Sequence, residues 1–472
     1  MWQPTLFESD GPLYERIAAS LERDIQAGRL ASGSRLPTLK ELAAQLGVTP
    51  GTVGRAYELA QRRGLVDGEV GRGTFVREAG NGGDVRPLST GSPPLSRPIP
   101  ATASDLASDR VDLSIVKPNL EIQEPYLRAA LADLAQASYL PEMLDYTPDG
   151  GLPPHRQAGA TWMQQAGLPA RAEQVVLTAG GQHGLWVVIN ALTRPGDLVF
   201  CESLCYPGVA SVVHGLGRRL KGIKLDEAGM QADTLREACR EERPALVICI
   251  ANCQNPTCSV MPADRRRQIA EIVREFDTTL VDDDIYGFLV PTGAAPLASF
   301  APERSVYLTS LSKSVLSTVR LGYIHAPAEW LPGLAASVRT SIWMVSPLAA
   351  QIATILINGG KAEELGRAQQ QEARARQQIV REALGEFEFR TQPAGFHIWL
   401  KLPPRWSSGD QFASMARSHG LIVAPGSSFA MNRDGEAQAF IRIAIMGGTR
   451  GQLRFVLAKL AGLLKTADAL WL

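Results

Sequence analysis

The chain carries no surplus of charge of either sign. Its 48 Lys+Arg are balanced by 48 Asp+Glu, so the molecule as a whole does not advertise a polyanionic partner, and a nucleic-acid face must come from local clustering. It also lacks any run of about 18 consecutive apolar residues, which excludes an ordinary membrane-spanning helix. The start, MWQPTLFESDG, has no basic stretch followed by an apolar one, which argues against a secretory leader; a cytoplasmic protein is expected. Metal-binding spacing is missing too. Cys201, Cys205, Cys239, Cys249, Cys253 and Cys258 fall in C-x3-C and C-x3-C-x4-C spacings that match no zinc pattern. The six histidines include no pair at i, i+4. No metal is expected, and the cysteines are read as buried reduced thiols.

What is present is globular: 45% of the 472 residues are apolar and 20% charged, in a chain too long for one ordinary domain. Composition breaks once. Residues 79–108, AGNGGDVRPLSTGSPPLSRPIPATASDLAS, are rich in Gly, Pro and Ser without apolar periodicity, and read as a linker partly stiffened by proline. As a loose coil, ~30 residues reach about 30 Å between their ends. The break separates a small module at 10–78 from a large one at 109–472.

In the small module, Leu13, Ile17, Leu21 and Ile25 recur four apart, one apolar stripe of a helix. Thr38 and Glu41 spell a capping box that starts a second helix. Gly47 is a good stop, and Thr49 followed by Pro50 opens a third. Two short helices joined by a tight turn make a helix-turn-helix. On the later helix Val53, Tyr57 and Ala60 face one way and Gly51, Thr52 and Arg55 the other. The second set suits a major groove, with Arg55 in reach of a phosphate or a guanine edge. GLVDGEVGRGTFV then carries the turn glycines and short β-prone runs of a hairpin, tipped by Gly71-Arg72-Gly73 as a wing. Between 29 and 77 there are eight Lys/Arg against four Asp/Glu, so the positive charge sits on these elements. Arg62 and Arg63 fit a solvated helix face.

In the large module, strand-like runs at VVLT 175–178, LVFCE 198–202, ALVICIA 245–251, TLVDD 279–283 and SVYLTS 305–310 alternate with segments of helical length. That rhythm predicts a mainly parallel sheet in an α/β architecture, the larger part spanning about 140–330. A long helical stretch, FHIWLKL 396–402 and FIRIAI 440–445 predict a smaller α+β subdomain over about 331–472.

The chemistry concentrates in SLSKSVLSTVRLGY, 310–323. A lysine after small hydroxyl residues, with Arg320 further on, suits pyridoxal phosphate: an amine for the aldehyde, hydroxyl and guanidinium donors for the phosphate. Alone, S-x-S-K is common in surface loops; four further stretches support it. TAGGQHG 178–184 joins a strand to a helix whose N-terminus can hold a phosphate. ESLCYPG 202–208 puts Tyr206 where an aromatic could stack on a pyridine ring, although a core tyrosine is the plainer account. Asn255-Pro256-Thr257 and VDDDIYG 281–287 end buried strands with an amide and with carboxylates. Arg442, inside the apolar run FIRIAI, must meet an anion, either a structural Asp or Glu or a substrate carboxylate.

The N-terminal residues LPTLKELA, VTPGTVGRAY and GRGTFV resemble the winged helix-turn-helix of GntR-type regulators. The resemblance implies phosphate contacts from Arg35, Lys40 and Arg72, and base or phosphate contacts from Thr52 and Arg55. Lys40 and Pro50 stand where that family has arginines. Residues 110–472 resemble a fold-type I aminotransferase. This implies a Schiff base at Lys313, phosphate contacts from Gly181, Gln182, Ser310 and Arg320, and Tyr206 beside the ring. It also implies Asp283 on the pyridine nitrogen, Asn255 and Tyr286 on the phenolic oxygen, and Arg442 on the α-carboxylate. Tyr146, in DYTPDGG, resembles the tyrosine that reaches the partner subunit's phosphate, which implies a homodimer. Cys258 and Ser317-Thr318 depart from the glycine of N-P-T-G and from Pro-Gly.

The order of modules resembles the MocR class of regulators. It implies a DNA-binding transcription regulator that senses pyridoxal phosphate or a small amino compound. A working aminotransferase with an accessory DNA module, or a DNA-binding protein whose second domain is purely structural, are the alternatives.

Overall fold

The computed structural model describes residues 2, 4, 12–26, 29–30, 34–62, 65–69, 73–76, 111–290, 295–432 and 435–465. The chain splits into two compact units, Met1–Gly91 and Ser92–Leu472.

The first unit is built on three helices, α1 (Leu13–Gln26), α2 (Leu39–Leu46) and α3 (Pro50–Arg62), and an antiparallel hairpin of β1 (Val66–Glu69) and β2 (Gly73–Val76). Thr38 caps α2 as expected: the backbone N–H of Glu41 donates to the Thr38 hydroxyl at 3.3 Å, and the Glu41 carboxylate accepts from the Thr38 N–H at 2.8 Å. Such a cap contributes about 1 kcal/mol. Gly47 ends the helix at φ 65, a left-handed conformation that favours glycine. Ile17, Leu21, Leu42, Val53, Ala60 and Val76 close one small core. Tyr57 lies in it, with its hydroxyl donating to the Pro37 carbonyl at 2.9 Å.

The second unit opens with β3 (Val111–Asp112). Its main sheet has seven strands: β4 (Val175–Thr178), β5 (Leu198–Glu202), β6 (Arg219–Ile223), β7 (Leu246–Cys249), β8 (Thr279–Asp283), β9 (Ser305–Ser310) and β10 (Gly322–His325). Their spatial order is β4-β10-β9-β8-β7-β5-β6. All neighbouring pairs are parallel except those made by β10, which runs antiparallel to both β4 and β9. Apart from the edge strand β6, the strands are buried along almost their whole length, which explains why they read as continuous apolar runs rather than alternating ones.

The smaller sheet is antiparallel and four-stranded, made of β11 (Phe389–Arg390), β12 (His397–Lys401), β14 (Ala424–Pro425) and β15 (Phe440–Ala444); β13 (Leu421–Ile422) pairs instead with β3. Its core takes Phe396, Ile398, Ile441 and Ile443, together with Leu113 and Val116 from the start of the unit. The helices just after residue 330 pack on the main sheet: Leu334 and Val338 join its core. The long helix Lys361–Leu384 bridges the two parts, giving Ala362 and Leu365 to a core of the large sheet and Ile379, Val380 and Leu384 to the smaller one. All six cysteines are buried and unpaired. Among the described residues, no helix is long and apolar enough to cross a membrane.

Candidate cofactor site and DNA interface

The strands of the main sheet end on one edge, where loops from five of them converge on a single cavity of about 800 Å³. Carboxyl-terminal strand ends are where α/β sheets offer their ligand sites, because the loops leave a crevice there. Gly181 and Gln182 follow β4, Tyr206 follows β5, Asn255 follows β7, Asp283 ends β8 with Tyr286 beyond it, and Ser310 ends β9. Lys313, Arg320 and Arg442 complete the expected residues that line this cavity. Tyr146 is not among them; it lies 73% exposed, edge-on to Trp343 with centroids 5.8 Å apart.

One end of the cavity is an anion cradle. Helix α6 (in chain order after Leu120–Ala135 as α4 and Pro153–Gln165 as α5) covers Gly181–Leu192 and begins without any side-chain cap, which leaves its first N–H groups for a ligand. Gly180 precedes it at φ 87, and a Cβ there would stand 2.9 Å from the Arg320 guanidinium. Only glycine allows that approach. Arg320 itself holds a left-handed φ of 47, costing ~1 kcal/mol, and donates to the Ser312 hydroxyl at 3.2 Å. Ser310 and Ser312 hydroxyls meet at 3.1 Å.

The lining also holds a buried carboxylate, Asp283. Successive residues of an extended chain point to opposite faces, so Asp283, the last residue of β8, is turned away from Asp282 and from Asp284 just beyond the strand. Asp282 accepts from the Ala298 N–H at 2.9 Å, and Asp284 accepts from Asn252 at 2.9 Å and Tyr307 at 2.8 Å. Asp283 lines the cavity with a buried Oδ1 that has no partner, and it makes no ion pair among the described residues. Burial, with Asp282, Asp284 and Glu202 nearby, pushes its carboxyl up to about 8. Burial and Asp283 also raise the Tyr206 hydroxyl, and burial raises that of Tyr286.

In the same lining, the Lys313 amine donates to the Val116 carbonyl at 2.5 Å. Burial and the positive charges of Arg442, Arg320 and Lys117 lower it to about 8. Arg442 is 7% exposed. It donates to the Asn255 side-chain oxygen at 3.0 Å and to the Ser114 carbonyl, packs on the Phe429 ring at 4.8 Å, and leaves its Nε unpartnered. Among the described residues Arg442 makes no ion pair with an Asp or Glu: both hydrogen-bond partners are neutral, and the Asp112 charge acts on it without a direct contact. Burial lowers its pKa accordingly.

Sequence reasoning missed the segment Ser114–Val116, whose carbonyls meet both cations from far away in the chain. A two-residue strand and no polar motif gave no signal for it. Ser312 and Arg417, which also line the cavity, were likewise passed over, although S-x-S-K contained the first.

On the first unit, Val53, Ala56, Tyr57 and Ala60 are buried, while Gly51 and Arg55 are exposed and Thr52 is half-buried, the division expected for α3. Thr52 and Thr49 hydroxyls lie 3.0 Å apart. Arg35 and Lys40 are exposed, Arg35 bridging to Phe75 of the hairpin. Gly71 and Arg72 of the wing tip and the linker 79–108 lie outside the described residues.

Residues 108–460 match the family of aminotransferase class I and II, and residues 13–76 match the bacterial regulatory proteins of the gntR family. The chain therefore belongs to the aminotransferase class I and II family with a gntR-family reader ahead of it; that pairing is the MocR arrangement, a transcription regulator with an aminotransferase-like domain. It is similar along most of its length to the uncharacterized HTH-type transcriptional regulator YdeF of Bacillus subtilis, 26% identical over 94% of this chain and 92% of that one. It is similar also to the HTH-type transcriptional regulator TauR of Rhodobacter capsulatus, 25% identical over 92% of this chain and 93% of that one. The crystal structure of an archaeal alanine:glyoxylate aminotransferase shares the fold, with a TM-score of 0.71 and 24% identity over 77% of this chain and 92% of that one.

The cofactor of the family is pyridoxal phosphate, and the cavity suits it. An uncapped helix start with Arg320 and two serines matches a phosphate, the unpartnered Asp283 oxygen matches a cationic ring N–H, and the lowered Lys313 amine matches an aldehyde.

Proposed function

We propose that this regulator senses pyridoxal phosphate, or an amino compound presented to it, and passes the result to its DNA reader. The observation that carries the reading is Arg442: a buried guanidinium with only neutral partners, in the same cavity as Lys313, is a seat for a carboxylate. When bound, pyridoxal phosphate supplies an aldehyde carbon to which primary amines add reversibly.

The chain's own residues have these roles. Lys313 anchors the cofactor through its amine, which is half neutral at about pH 8. Gly181, Gln182, Ser310 and Arg320 hold the phosphate. Asp283, ionised by its cationic partner, keeps the ring nitrogen protonated. Asn255 and Tyr286 hold the phenolic oxygen, Tyr206 flanks the ring, and Arg442 takes the carboxylate of the amino compound. In the reader, Arg35, Lys40 and Arg72 contact phosphates of double-stranded DNA, and Thr52 and Arg55 contact bases or phosphates.

The protein works as a cytoplasmic homodimer. Leu144 at 86%, Tyr146 at 73% and Trp343 at 53% exposure leave apolar surface that a second copy would cover, with Tyr146 reaching the partner's phosphate.

A ligand shifts a regulator only through unequal affinity for its two arrangements. The test is binding of the cofactor-loaded protein to DNA upstream of its own coding sequence, with and without candidate amines. A changed affinity or footprint supports sensing; identical affinity and footprint in every state would overturn it.

A further inference from the structure

Helix α6 has no side-chain cap, yet the turn that leads into it is pinned by three hydrogen bonds. The Gly180 carbonyl accepts from the Gly184 N–H at 3.0 Å and from the Thr178 hydroxyl at 3.2 Å. The Ala179 N–H donates to His183 Nδ1 at 2.9 Å. A side chain inside the first turn thus reaches back to the chain ahead of the helix. The Gly181 and Gln182 N–H groups keep no hydrogen-bond partner among the described residues.

That bond settles the state of the ring. Nδ1 accepts, so the imidazole proton is on Nε2, which donates to the Ser341 hydroxyl at 2.8 Å. Ser341 donates in turn to the Ser337 carbonyl at 2.8 Å, within the helix Leu331–Ile342. Leu334 and Val338 of that helix belong to a core of the main sheet, so the relay ends on a fixed element. The His183 ring also stacks on Trp186, with centroids 6.3 Å apart and planes at 17°. Burial lowers the imidazole to about 4, which keeps it neutral at pH 7. The need for such a pin lies in the sequence. Gly180 and Gly181 in succession loosen the backbone, and both must be glycine: a Cβ would stand 2.9 Å from the Arg320 guanidinium at the first and 2.7 Å from the Ile285 side chain at the second. The cradle cannot take its shape from side chains of its own.

We infer that His183 is the positioning residue of the anion cradle. Bridging the Ala179 N–H and the Ser341 hydroxyl, it fixes the aim of the Gly181 and Gln182 N–H groups, and with it the preference for a phosphorylated cofactor over the dephosphorylated form. The inference rests on the phosphate seat proposed above and is independent of amine sensing. Aim matters because hydrogen bonds to an anion are strong and weaken steeply when the N–H turns away from the acceptor.

The test titrates cofactor-free full-length protein with pyridoxal phosphate and with pyridoxal, and Schiff-base absorbance gives the two dissociation constants. Their ratio reads the cradle, because a general loss of pocket structure weakens both ligands, and the internal hemiacetal of pyridoxal is a factor common to every variant. The native protein favours the phosphorylated form by about a hundredfold or more, the size of two or more charged hydrogen bonds. His183→Phe keeps a ring against Trp186 and loses both hydrogen bonds; its ratio falls about tenfold while pyridoxal binds as before. His183→Gln offers an oxygen to Ala179 and an amide N–H to Ser341, and restores most of the ratio. Ser341→Ala removes only the far anchor and lowers the ratio about threefold. A native ratio near one overturns the phosphate seat and the inference with it. An unchanged ratio in either His183→Phe or Ser341→Ala overturns the inference alone, so the second variant decides if the first does not fold. An equal loss for both ligands in His183→Phe marks a merely structural role and overturns it too.

Discussion

Arg442 Nη1 donates to the side-chain oxygen of Asn255 at 3.0 Å, tying the middle of the smaller sheet to the loop that follows β7 of the larger one. With its oxygen taken, Asn255 has only its amide N–H groups left to offer the cavity. The arginine's Nε is without a hydrogen-bond partner among the described residues.

Replacing Arg442 by glutamine removes the buried cation while retaining a polar side chain. Affinity for carboxylate-bearing amines falls about tenfold to a hundredfold, the range for a charged hydrogen-bonded contact. Affinity for amines of similar size without a carboxylate changes far less. Spectral titration measures both.

Lys313→Ala abolishes covalent retention of the cofactor. After borohydride reduction and denaturation, mass spectrometry of the native protein finds the added mass on the peptide containing Lys313, and the variant carries none. Retention at another lysine would refute the assignment.

The rate at which cofactor-free protein captures pyridoxal phosphate depends on pH through the Lys313 amine. Burial and neighbouring cations lower it to about 8, so the nucleophilic neutral form grows as pH rises toward that value and saturates above it. Capture accelerates by up to about tenfold per pH unit below 8 and then levels. An unperturbed lysine would keep accelerating to about pH 10. Stopped-flow absorbance distinguishes the two profiles.

Arg55→Ala weakens DNA binding by about 1–3 kcal/mol and relaxes one operator position if the guanidinium reads a guanine edge; if it meets a phosphate, the salt slope falls by about 1 and preference is unchanged. Affinity measured at several salt concentrations, with base-substituted operators, separates these outcomes. No change in affinity or slope would exclude Arg55 from the interface.

Much of this was legible in the residues because local rules and burial agreed. VVLT, LVFCE, TLVDD and SVYLTS became strands over the same residues, since strands buried on both faces announce themselves as apolar runs. ALVICIA and FHIWLKL were each trimmed at both ends, where pairing stops before hydrophobicity does. The capping box at Thr38 formed as written, because it needs only residues three apart.

The choice among Asp282, Asp283 and Asp284 rested on resemblance; the strand's alternation, with bonds that turn two of them elsewhere, supplies the physical reason. What stayed hidden depends on distant pairing. Nothing in SIVKP announces that its carbonyls meet Lys313 and Arg442, and no local pattern marks Arg417, on the helix Gly409–Ser418, as part of the same cavity.

The pairing of β3 with β13 brings those two carbonyls over the cavity, on the stretch of chain that directly follows residue 110. A molecule seated on the amine and the guanidinium, as proposed, would compete for the two bonds fastening that stretch. On the proposed sensing reading, occupancy would first be felt at the very segment that continues back toward the linker, so binding and its report would begin at the same peptide units.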